Sequence, residues 1–294
     1  MRKCLITGAT GLIGRHVVSF LRDNWELYAL VRRGEDTPSH HTHYVKCDLA
    51  EEWSTEKLPT TVDAVIHLAQ SEHFREFPMQ ADRIFKVNVV STLRLLKYSW
   101  HAGAKTFVLA SSGGIYGHGE EGFREGDTIL SKGGLGFYLG NKLCAEVLAE
   151  NYIPYMNIII LRFFFVYGSG QRPTMLIPRL VKAVEEDQPI ILHGKDGLKM
   201  NPTYVTDAAS AVCRSLELTE SQKINVGGPE VLSLRQIGQQ VGEVLHKDPA
   251  FDVNKHIPSQ HLVGNIKKMT CLLGQPEVKF KEGIAKYIEE RHEE

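Results

Sequence analysis

The sequence predicts an α/β fold in which a doubly wound parallel sheet is followed by a smaller C-terminal α/β lobe. Apolar runs of strand length alternate with runs of helical spacing over the first half of the chain, which is the order of repeated βαβ units. A turn with three glycines follows the first apolar run. After Gly168, prolines divide the chain into shorter segments, which indicates a second lobe. The length of 294 residues exceeds the usual size of a single core and agrees with two domains.

The expected elements follow at regular intervals. After the run that ends at Gly8, the apolar runs predicted to be strands are Glu26–Arg33, Asp63–Ala69, Lys105–Ser111 and Asn157–Phe163. Helical patterns lie between them, notably Asp82–Ala102 and Tyr138–Tyr152. We therefore expect a dinucleotide-binding domain over 1–167 and a mainly substrate-binding lobe over 168–294, and residues 223–228 are a candidate strand returning to the first sheet.

The first glycine turn has the features of a diphosphate site. Gly8, Gly11 and Gly14 stand between the first strand and an amphipathic helix. Glycines let backbone amides approach a diphosphate, and the start of the helix offers N–H donors and a positive dipole end. Because a glycine triplet can also be an ordinary turn, the motif needs its strand and helix context.

The end of the second strand bears on which dinucleotide binds. In a βαβ unit this position faces the adenosine ribose, where an acidic residue would bind the 2′-hydroxyl. Here Val31 is followed by Arg32 and Arg33, and a guanidinium suits a 2′-phosphate. The sequence therefore favours NADP, with NAD as the alternative cofactor. The competing interpretation is that both arginines are solvated loop charges.

Composition narrows the classes of partner. Hydrophobic residues make up 43% and aromatic residues 9%, which is typical of a globular protein, and no apolar run is long enough to span a bilayer. Five widely spaced cysteines fit reduced thiols, and no removable secretory segment is evident, so we expect a cytoplasmic protein. A net charge of −1 gives no broad attraction to nucleic acid or lipid. We expect a small-molecule substrate, with a homodimer as one candidate assembly.

A metal site is not expected. His40, His41 and His43 lie close together, but they occupy a polar segment with no partnered cysteine or acidic cluster.

The candidate catalytic residues are Ser112, Tyr138 and Lys142. Ser112 ends a predicted strand, while Tyr138 and Lys142 are one turn apart on a predicted helix. A nearby ammonium is expected to lower the pKa of the phenol and bring it into a range useful for proton exchange. The serine would hold the substrate oxygen while a nicotinamide carries hydride. This set predicts interconversion of a carbonyl and an alcohol.

With these motifs the chain resembles the extended short-chain dehydrogenase/reductase family, in its nucleotide-sugar epimerase, dehydratase and ketoreductase branch. The resemblance implies a Rossmann-type sheet. It spans nearly the whole chain and favours Ser112 over Ser111, by its distance from Tyr116. Further segments that resemble family motifs are Asp48–Leu49, His67–Ala69, Asn88–Thr92, Arg162–Gly168, Tyr204–Asp207, Asn225–Gly228, Leu273–Pro276 and Glu282–Gly283.

The motifs and the resemblance together predict the residues of the site. Those expected to bind the cofactor are Gly8, Thr10, Gly11, Leu12, Ile13, Gly14, Arg32, Arg33, Asp48, Leu49, Leu68, Ala69, Asn88, Tyr138 and Lys142. Those expected to bind the substrate are Ser112, Phe165, Arg172 and Arg179.

Departures from the family pattern narrow the reaction. Family members that dehydrate sugars carry an Asp-Glu pair after the catalytic residue, whereas Gly113 and Gly114 follow Ser112 here. Family reductases that also epimerise neighbouring carbons use a cysteine near the serine, and none lies between Ser112 and Tyr138. Simple redox chemistry at one carbon remains.

Two further departures concern the substrate. Phe165 stands where many sugar-nucleotide enzymes have an asparagine, and Met200 stands where they have an arginine. Both usual residues hold the nucleotide diphosphate in the family, so Arg172, Arg179 or Lys199 would have to meet it from another direction.

Three functions remain open. The leading one is a 4-epimerase or 4-ketoreductase that interconverts a hydroxyl and a keto group on a nucleotide-activated sugar. The second is an NADP-dependent reductase of a non-nucleotide carbonyl compound, motivated by Phe165 and Met200. The third is a non-catalytic dinucleotide-sensing protein, which the presence of Ser112, Tyr138 and Lys142 disfavours.

Overall fold

Thirteen strands and nine α-helices occur in the described residues, 1–33, 41–129 and 134–291, of the computed structural model. In chain order the strands are β1 (Arg2–Thr7), β2 (Trp25–Val31), β3 (Thr42–Lys46), β4 (Ala64–His67), β5 (Thr106–Ser112), β6 (Asn157–Phe163), β7 (Val166–Tyr167), β8 (Ile190–His193), β9 (Lys199–Met200), β10 (Thr203–Tyr204), β11 (Gln222–Val226), β12 (Leu232–Ser233) and β13 (Phe251–Asn254). The helices are α1 (Gly14–Leu21), α2 (Ala81–Phe85), α3 (Ser91–His101), α4 (Gly136–Glu150), α5 (Leu176–Glu185), α6 (Val205–Ser215), α7 (Leu234–Leu245), α8 (Lys267–Leu273) and α9 (Phe280–Arg291).

The main sheet has seven strands in the order β11-β6-β5-β4-β1-β2-β3. The pairs that β1 forms with β2 and with β4 are parallel, as are those of β2 with β3 and of β4 with β5. In β1, Cys4, Leu5 and Ile6 are all fully buried, because helices cover both faces of a parallel sheet and its strands become continuously apolar. The predicted doubly wound α/β fold is confirmed, and the candidate strand near residue 223 is β11 of this sheet.

The helix expected over Asp82–Ala102 is interrupted. Between α2 and α3, residues Lys86–Val90 form a π-helical turn that contains Asn88. Such a turn inserts one extra residue into the helix and often occurs at functional sites. Hydrophobic periodicity alone did not reveal this turn, because the apolar face continues through it.

Backbone contacts divide the chain into two compact units. The first comprises Met1–Ile115, Leu130–Arg162 and Ala209–Ile224, and the second comprises Tyr116–Ile129, Phe163–Ala208 and Asn225–Glu294. The first contains the glycine turn and the Ser112, Tyr138 and Lys142 set, whereas the second contains Phe165 and the two candidate substrate arginines. No helix among the described residues has both the length and the apolar character needed to cross a membrane.

Candidate active site

The glycine turn lies where the strand order of the sheet changes direction, because β1 has β2 on one side and β4 on the other. Gly8 has φ +71°, and a Cβ there would lie 2.8 Å from the nitrogen of Ala69. A Cβ on Gly14 would lie 2.0 Å from the oxygen of Gly8. Only glycine permits these approaches, which leave a cradle of backbone at the start of α1. Its exposed or half-buried residues are Thr10, Gly11, Leu12 and Ile13.

Helix α4 places Tyr138 and Lys142 side by side. The Lys142 Nζ lies 6.0 Å from the centroid of the Tyr138 ring. Lys142 is buried, and its Nζ donates a hydrogen bond to the carbonyl oxygen of Ala110 at 2.9 Å. Because Ala110 belongs to β5, this bond fixes the ammonium against the main sheet.

Ser112, the last residue of β5, lies within hydrogen-bonding reach of the same tyrosine. Its hydroxyl hydrogen-bonds to Tyr138. The Ser112 Oγ also accepts from the N–H of Gly114 at 3.1 Å, and the Tyr138 hydroxyl donates to Gln70 Oε1 at 2.9 Å. The Ser111 hydroxyl instead donates to the buried carboxylate of Glu146 on α4, so the geometry favours Ser112 as the serine beside the phenol.

The protonation behaviour differs from the expectation for Tyr138. Burial raises the pKa of Tyr138 to about 12, and the hydrogen bond with Ser112 offsets this in part. Burial also lowers the pKa of Lys142 to about 8, against the attraction of the Glu146 carboxylate. The phenol pKa is therefore raised by desolvation and not lowered as expected. At neutral pH this structure holds Tyr138 as a protonated phenol, which is the form that donates a proton.

A buried ion pair supports the lysine, and sequence reasoning missed its role. Arg162 binds Glu146 through two hydrogen bonds, Nε to Oε1 at 3.1 Å and Nη2 to Oε2 at 2.7 Å. The Ser111 hydroxyl donates a further bond to the Glu146 carboxylate. Glu146 follows Lys142 by one helical turn and raises its pKa. The sequence did contain a signal for this pair: Arg162 stands in an apolar strand and Glu146 on the buried face of a helix, where apolar residues are expected.

A directional chain of hydrogen bonds links β1, β4 and α3 through His67. The Thr92 hydroxyl donates to the carbonyl oxygen of Asn88 at 2.8 Å, so it accepts from His67 Nε2 at 3.0 Å. His67 Nδ1 then accepts from the Thr7 hydroxyl at 2.6 Å, which accepts from the Ala69 N–H at 3.2 Å. Burial, with a smaller effect of the Lys142 charge, lowers the pKa of His67 to about 3. His67 is thus a neutral imidazole in one tautomer that joins Thr7, the last residue of β1, to Thr92 of α3.

Asn88 presents an amide donor that the protein leaves unused. Its Oδ1 accepts from the N–H of Ser71 at 3.0 Å. Its Nδ2 is buried and has no hydrogen-bond partner within the described ranges of the chain. Since buried polar groups are nearly always paired, this donor indicates a ligand or water at the site.

The residues predicted for the adenosine end lie beyond β2 and β3. Arg32 holds Glu72 through both guanidinium nitrogens, one bond being 3.2 Å long. Asp48 accepts from the Ala50 N–H and from Arg83 Nη2, each at 2.9 Å, and these bonds lower its pKa although burial opposes them. Leu49 is buried and Arg33 is exposed. Sequence reasoning did not identify Glu72, which stands in a polar stretch with no motif.

The candidate substrate residues belong to the second unit. Phe165 is half-buried and has φ +43°, in the left-handed region that asparagine tolerates better than phenylalanine. The Thr203 N–H donates to the Phe165 carbonyl oxygen at 3.2 Å. Arg172 and Arg179 are exposed, whereas Met200 is fully buried and serves the core of this unit.

The histidine group also contains side chains with other roles. The ring of His43 stacks on Tyr28 with centroids 4.8 Å apart, and its Nε2 lies 3.3 Å from Glu26 Oε1. His40 lies outside the described residues.

A family model decides how this set of features is classified. The model of the NAD dependent epimerase/dehydratase family matches residues 4–227, which include the glycine turn, the catalytic candidates and β11. The chain belongs to this family. The predicted family and its enzymatic character are confirmed, so the protein is an enzyme of the short-chain dehydrogenase/reductase type that uses a nicotinamide dinucleotide.

Individual members of the epimerase/dehydratase family match nearly the full length of the chain. UDP-glucuronate 4-epimerase of Thermodesulfobacterium geofontis is 29% identical over 309 residues, covering 97% of this chain and 94% of its own. The crystal structure of UDP-glucuronic acid 4-epimerase from Bacillus cereus, in complex with UDP-glucuronic acid and NAD, has a TM-score of 0.85 at 25% identity and covers 99% of both chains. dTDP-4-dehydro-6-deoxyglucose reductase of Escherichia coli is 25% identical over 311 residues, covering 97% of this chain and 96% of its own.

The cofactor of the family fits the residues present in the first unit. A Cβ at Gly8 or Gly14 would meet backbone atoms, so the chain approaches itself closely here and leaves backbone at the start of a helix, as a diphosphate requires. The unpaired Nδ2 of Asn88 offers a buried donor on the neighbouring π-helical turn. The roles of the individual site residues remain predictions.

Proposed function

We propose that this enzyme interconverts a hydroxyl and a keto group at carbon 4 of a nucleotide-activated sugar, as a 4-epimerase or a 4-ketoreductase. The observation that carries the proposal is the cluster of Ser112, Tyr138 and Lys142 in the same unit as the glycine cradle. Relatives of both reaction types match the chain over nearly its whole length, which supports the choice of substrate class.

Each member of the cluster has a distinct task. The Ser112 hydroxyl binds the substrate oxygen. The Tyr138 hydroxyl donates its proton to that oxygen on reduction, and the Tyr138 phenolate accepts the proton on oxidation. The Lys142 ammonium, held by Ala110, supplies positive charge beside the phenol. When bound, the nicotinamide supplies or takes the hydride at the carbon that bears this substrate oxygen. Gly113 and Gly114 offer no second acid and base, which supports a reaction without elimination.

For the cofactor we propose NADP, with NAD as the alternative. Arg32 and Arg33 directly follow β2, the position that faces the adenosine ribose in βαβ nucleotide sites. A 2′-phosphate would gain charge-assisted hydrogen bonds there. The ion pair of Arg32 with Glu72 opposes this preference, and the Bacillus cereus structure contains NAD.

For the two domains expected from the sequence, whose single boundary differs from the interleaved segments of the two compact units, we propose a division of labour. Residues 1–167 mainly bind the dinucleotide, and residues 168–294 mainly bind the substrate, with Phe165, Arg172 and Arg179 meeting its nucleotide part. Since neither Phe165 nor Met200 can bind a diphosphate as asparagine or arginine would, reduction of a smaller, non-nucleotide carbonyl compound is the second candidate function.

We also propose that the enzyme is a cytoplasmic homodimer. Large apolar side chains are exposed on α3, α4 and the turn after α4, namely Leu93, Trp100, Val147, Ile153 and Tyr155. A patch of this kind usually marks an interface, and a second copy would cover it symmetrically. Sedimentation of the wild type and of Trp100→Glu tests this, since the charge should yield monomers.

A ligand panel tests the proposed function. Thermal shifts should identify NADP or NAD and one nucleotide sugar as ligands, and NMR of the reaction mixture should then follow turnover. A 4-epimerase produces the epimer without net use of cofactor, whereas a 4-ketoreductase consumes reduced cofactor in proportion to the alcohol formed. Turnover of small carbonyl compounds with no response to any nucleotide sugar would replace the leading proposal with the second.

A further inference from the structure

Four charged side chains gather at the carboxyl ends of β2, β3 and β4. Arg32 follows β2, Asp48 follows β3, and Glu72 lies in the segment after β4. Arg83 of α2 completes the group through its bond to Asp48. Arg83 Nη1 also lies 3.7 Å from Glu51 Oε1, so both arginines already face carboxylates.

The pairing within this group is selective. Asp48 is held by Arg83 and by the Ala50 backbone, whereas both oxygens of Glu72 face the guanidinium fork of Arg32. His73 Nε2 also lies near this carboxylate, 3.6 Å from Glu72 Oε1. Glu72 is therefore the carboxylate that is hydrogen-bonded to Arg32.

The pair is accessible and can be exchanged. The Arg32 side chain is 46% exposed and the Glu72 side chain is 28% exposed. Exposed ion pairs contribute little to folding stability, so this one can open at low cost. An anionic ligand could replace the carboxylate at the same guanidinium.

We propose that Glu72 sets the cofactor specificity of the enzyme by competing with the 2′-phosphate of NADP for Arg32. The proposal rests on the placement of the adenosine ribose beside Arg32 given above. A 2′-phosphate must displace Glu72 and then stand near its charge, whereas the 2′-hydroxyl of NAD carries no charge and leaves the pair intact. Glu72 thus narrows the preference for NADP that Arg32 and Arg33 would otherwise produce.

The substitution Glu72→Gln tests the proposal, with Glu76→Gln as its matched control. Glu76 lies in the same segment and loses the same charge, but it pairs with His73 and not with Arg32. Calorimetric titrations would measure the affinities for NADPH, NADH and the fragments adenosine 2′,5′-bisphosphate and 5′-AMP, so the readout does not depend on catalysis.

In Glu72→Gln, we expect the affinities for NADPH and for the bisphosphate to rise by about tenfold, the scale of one freed charge-assisted contact. The affinities for NADH and 5′-AMP should stay as in the wild type, and Glu76→Gln should change none of the four. Adding Arg32→Ala to Glu72→Gln should remove the gain.

Equal changes for NADPH and NADH, or an unchanged NADPH affinity, would overturn the role of Glu72. The proposed NADP preference is judged separately, by the wild-type ratio of the two affinities. If the wild type prefers NADH but Glu72→Gln gains NADPH affinity, the NADP preference fails and the role of Glu72 stands.

Discussion

Replacing Arg162 with methionine should destabilise the protein strongly. Arg162 and Glu146 have side chains only 2% and 1% exposed, and they share two hydrogen bonds between β6 and α4. In the variant the Glu146 carboxylate keeps the bond from Ser111 and the attraction of the Lys142 ammonium, but it loses the cation that hydrogen-bonds to it.

The magnitude follows from the burial of both charges. Removing one member of a buried ion pair costs about 3–5 kcal/mol, because the other charge stays away from water without compensation. Replacing both members by neutral groups of similar size avoids that penalty. We therefore expect the free energy of unfolding of the double variant, Arg162→Met with Glu146→Gln, to lie within about 1–2 kcal/mol of the wild-type value.

Urea unfolding followed by circular dichroism measures these differences as a double-mutant cycle. We expect Arg162→Met to be less stable than the wild type, and adding Glu146→Gln to it should restore part of the lost stability. Additive losses, with the double variant as unstable as the sum of the two single ones, would refute the reasoning that the pair acts as a unit.

Three further predictions concern the site. Glu146→Gln removes a charge that raises the pKa of Lys142, so the pKa of Lys142 should fall below about 8. If the ammonium is required, kcat should then begin to fall at a lower alkaline pH than in the wild type, and an unshifted pH profile contradicts this. Phe165→Asn should lower KM for a nucleotide sugar, because the family's asparagine at this position holds the diphosphate, and an unchanged KM counts against it. Its free energy of unfolding should stay within about 1 kcal/mol of the wild-type value, because asparagine tolerates φ +43° and relief of that strain offsets lost packing. Arg172→Ala or Arg179→Ala should reduce kcat/KM for the nucleotide sugar without affecting cofactor affinity, which paired kinetics and titrations would check, and wild-type kinetics in both variants would rule out the assignment.

The sequence was most informative where the backbone pattern dictates structure. The strand and helix alternation identified the main sheet, because parallel strands buried on both faces must be continuously apolar. The glycine spacing identified the turn, since a Cβ at Gly8 or Gly14 would meet backbone atoms. Tyr138 and Lys142 could be paired from helical spacing alone.

The remaining features depend on contacts between distant parts of the chain. Glu72 reaches Arg32 across forty positions, and Glu146 meets Arg162 across sixteen, distances that no periodicity encodes. The pKa of Tyr138 could not be anticipated either, because its desolvation depends on how the rest of the chain packs around the phenol.

Transfer of deuterium between the sugar and the nicotinamide tests the central claim most directly. The enzyme, at a concentration equal to that of the oxidised cofactor, would be mixed with the 4-hydroxy form of the nucleotide sugar from the ligand panel, deuterated at carbon 4. The reaction would be quenched within one turnover, before the deuteride can return to the sugar, and the extracted cofactor would be analysed by mass spectrometry. The account predicts deuterium on the nicotinamide with the wild type, and transfer slower by about 10²- to 10⁴-fold with Tyr138→Phe, which should still bind the cofactor. Deuterium that passes to solvent instead, or equal transfer by both proteins, would contradict hydride exchange at that carbon with Tyr138 as its acid and base.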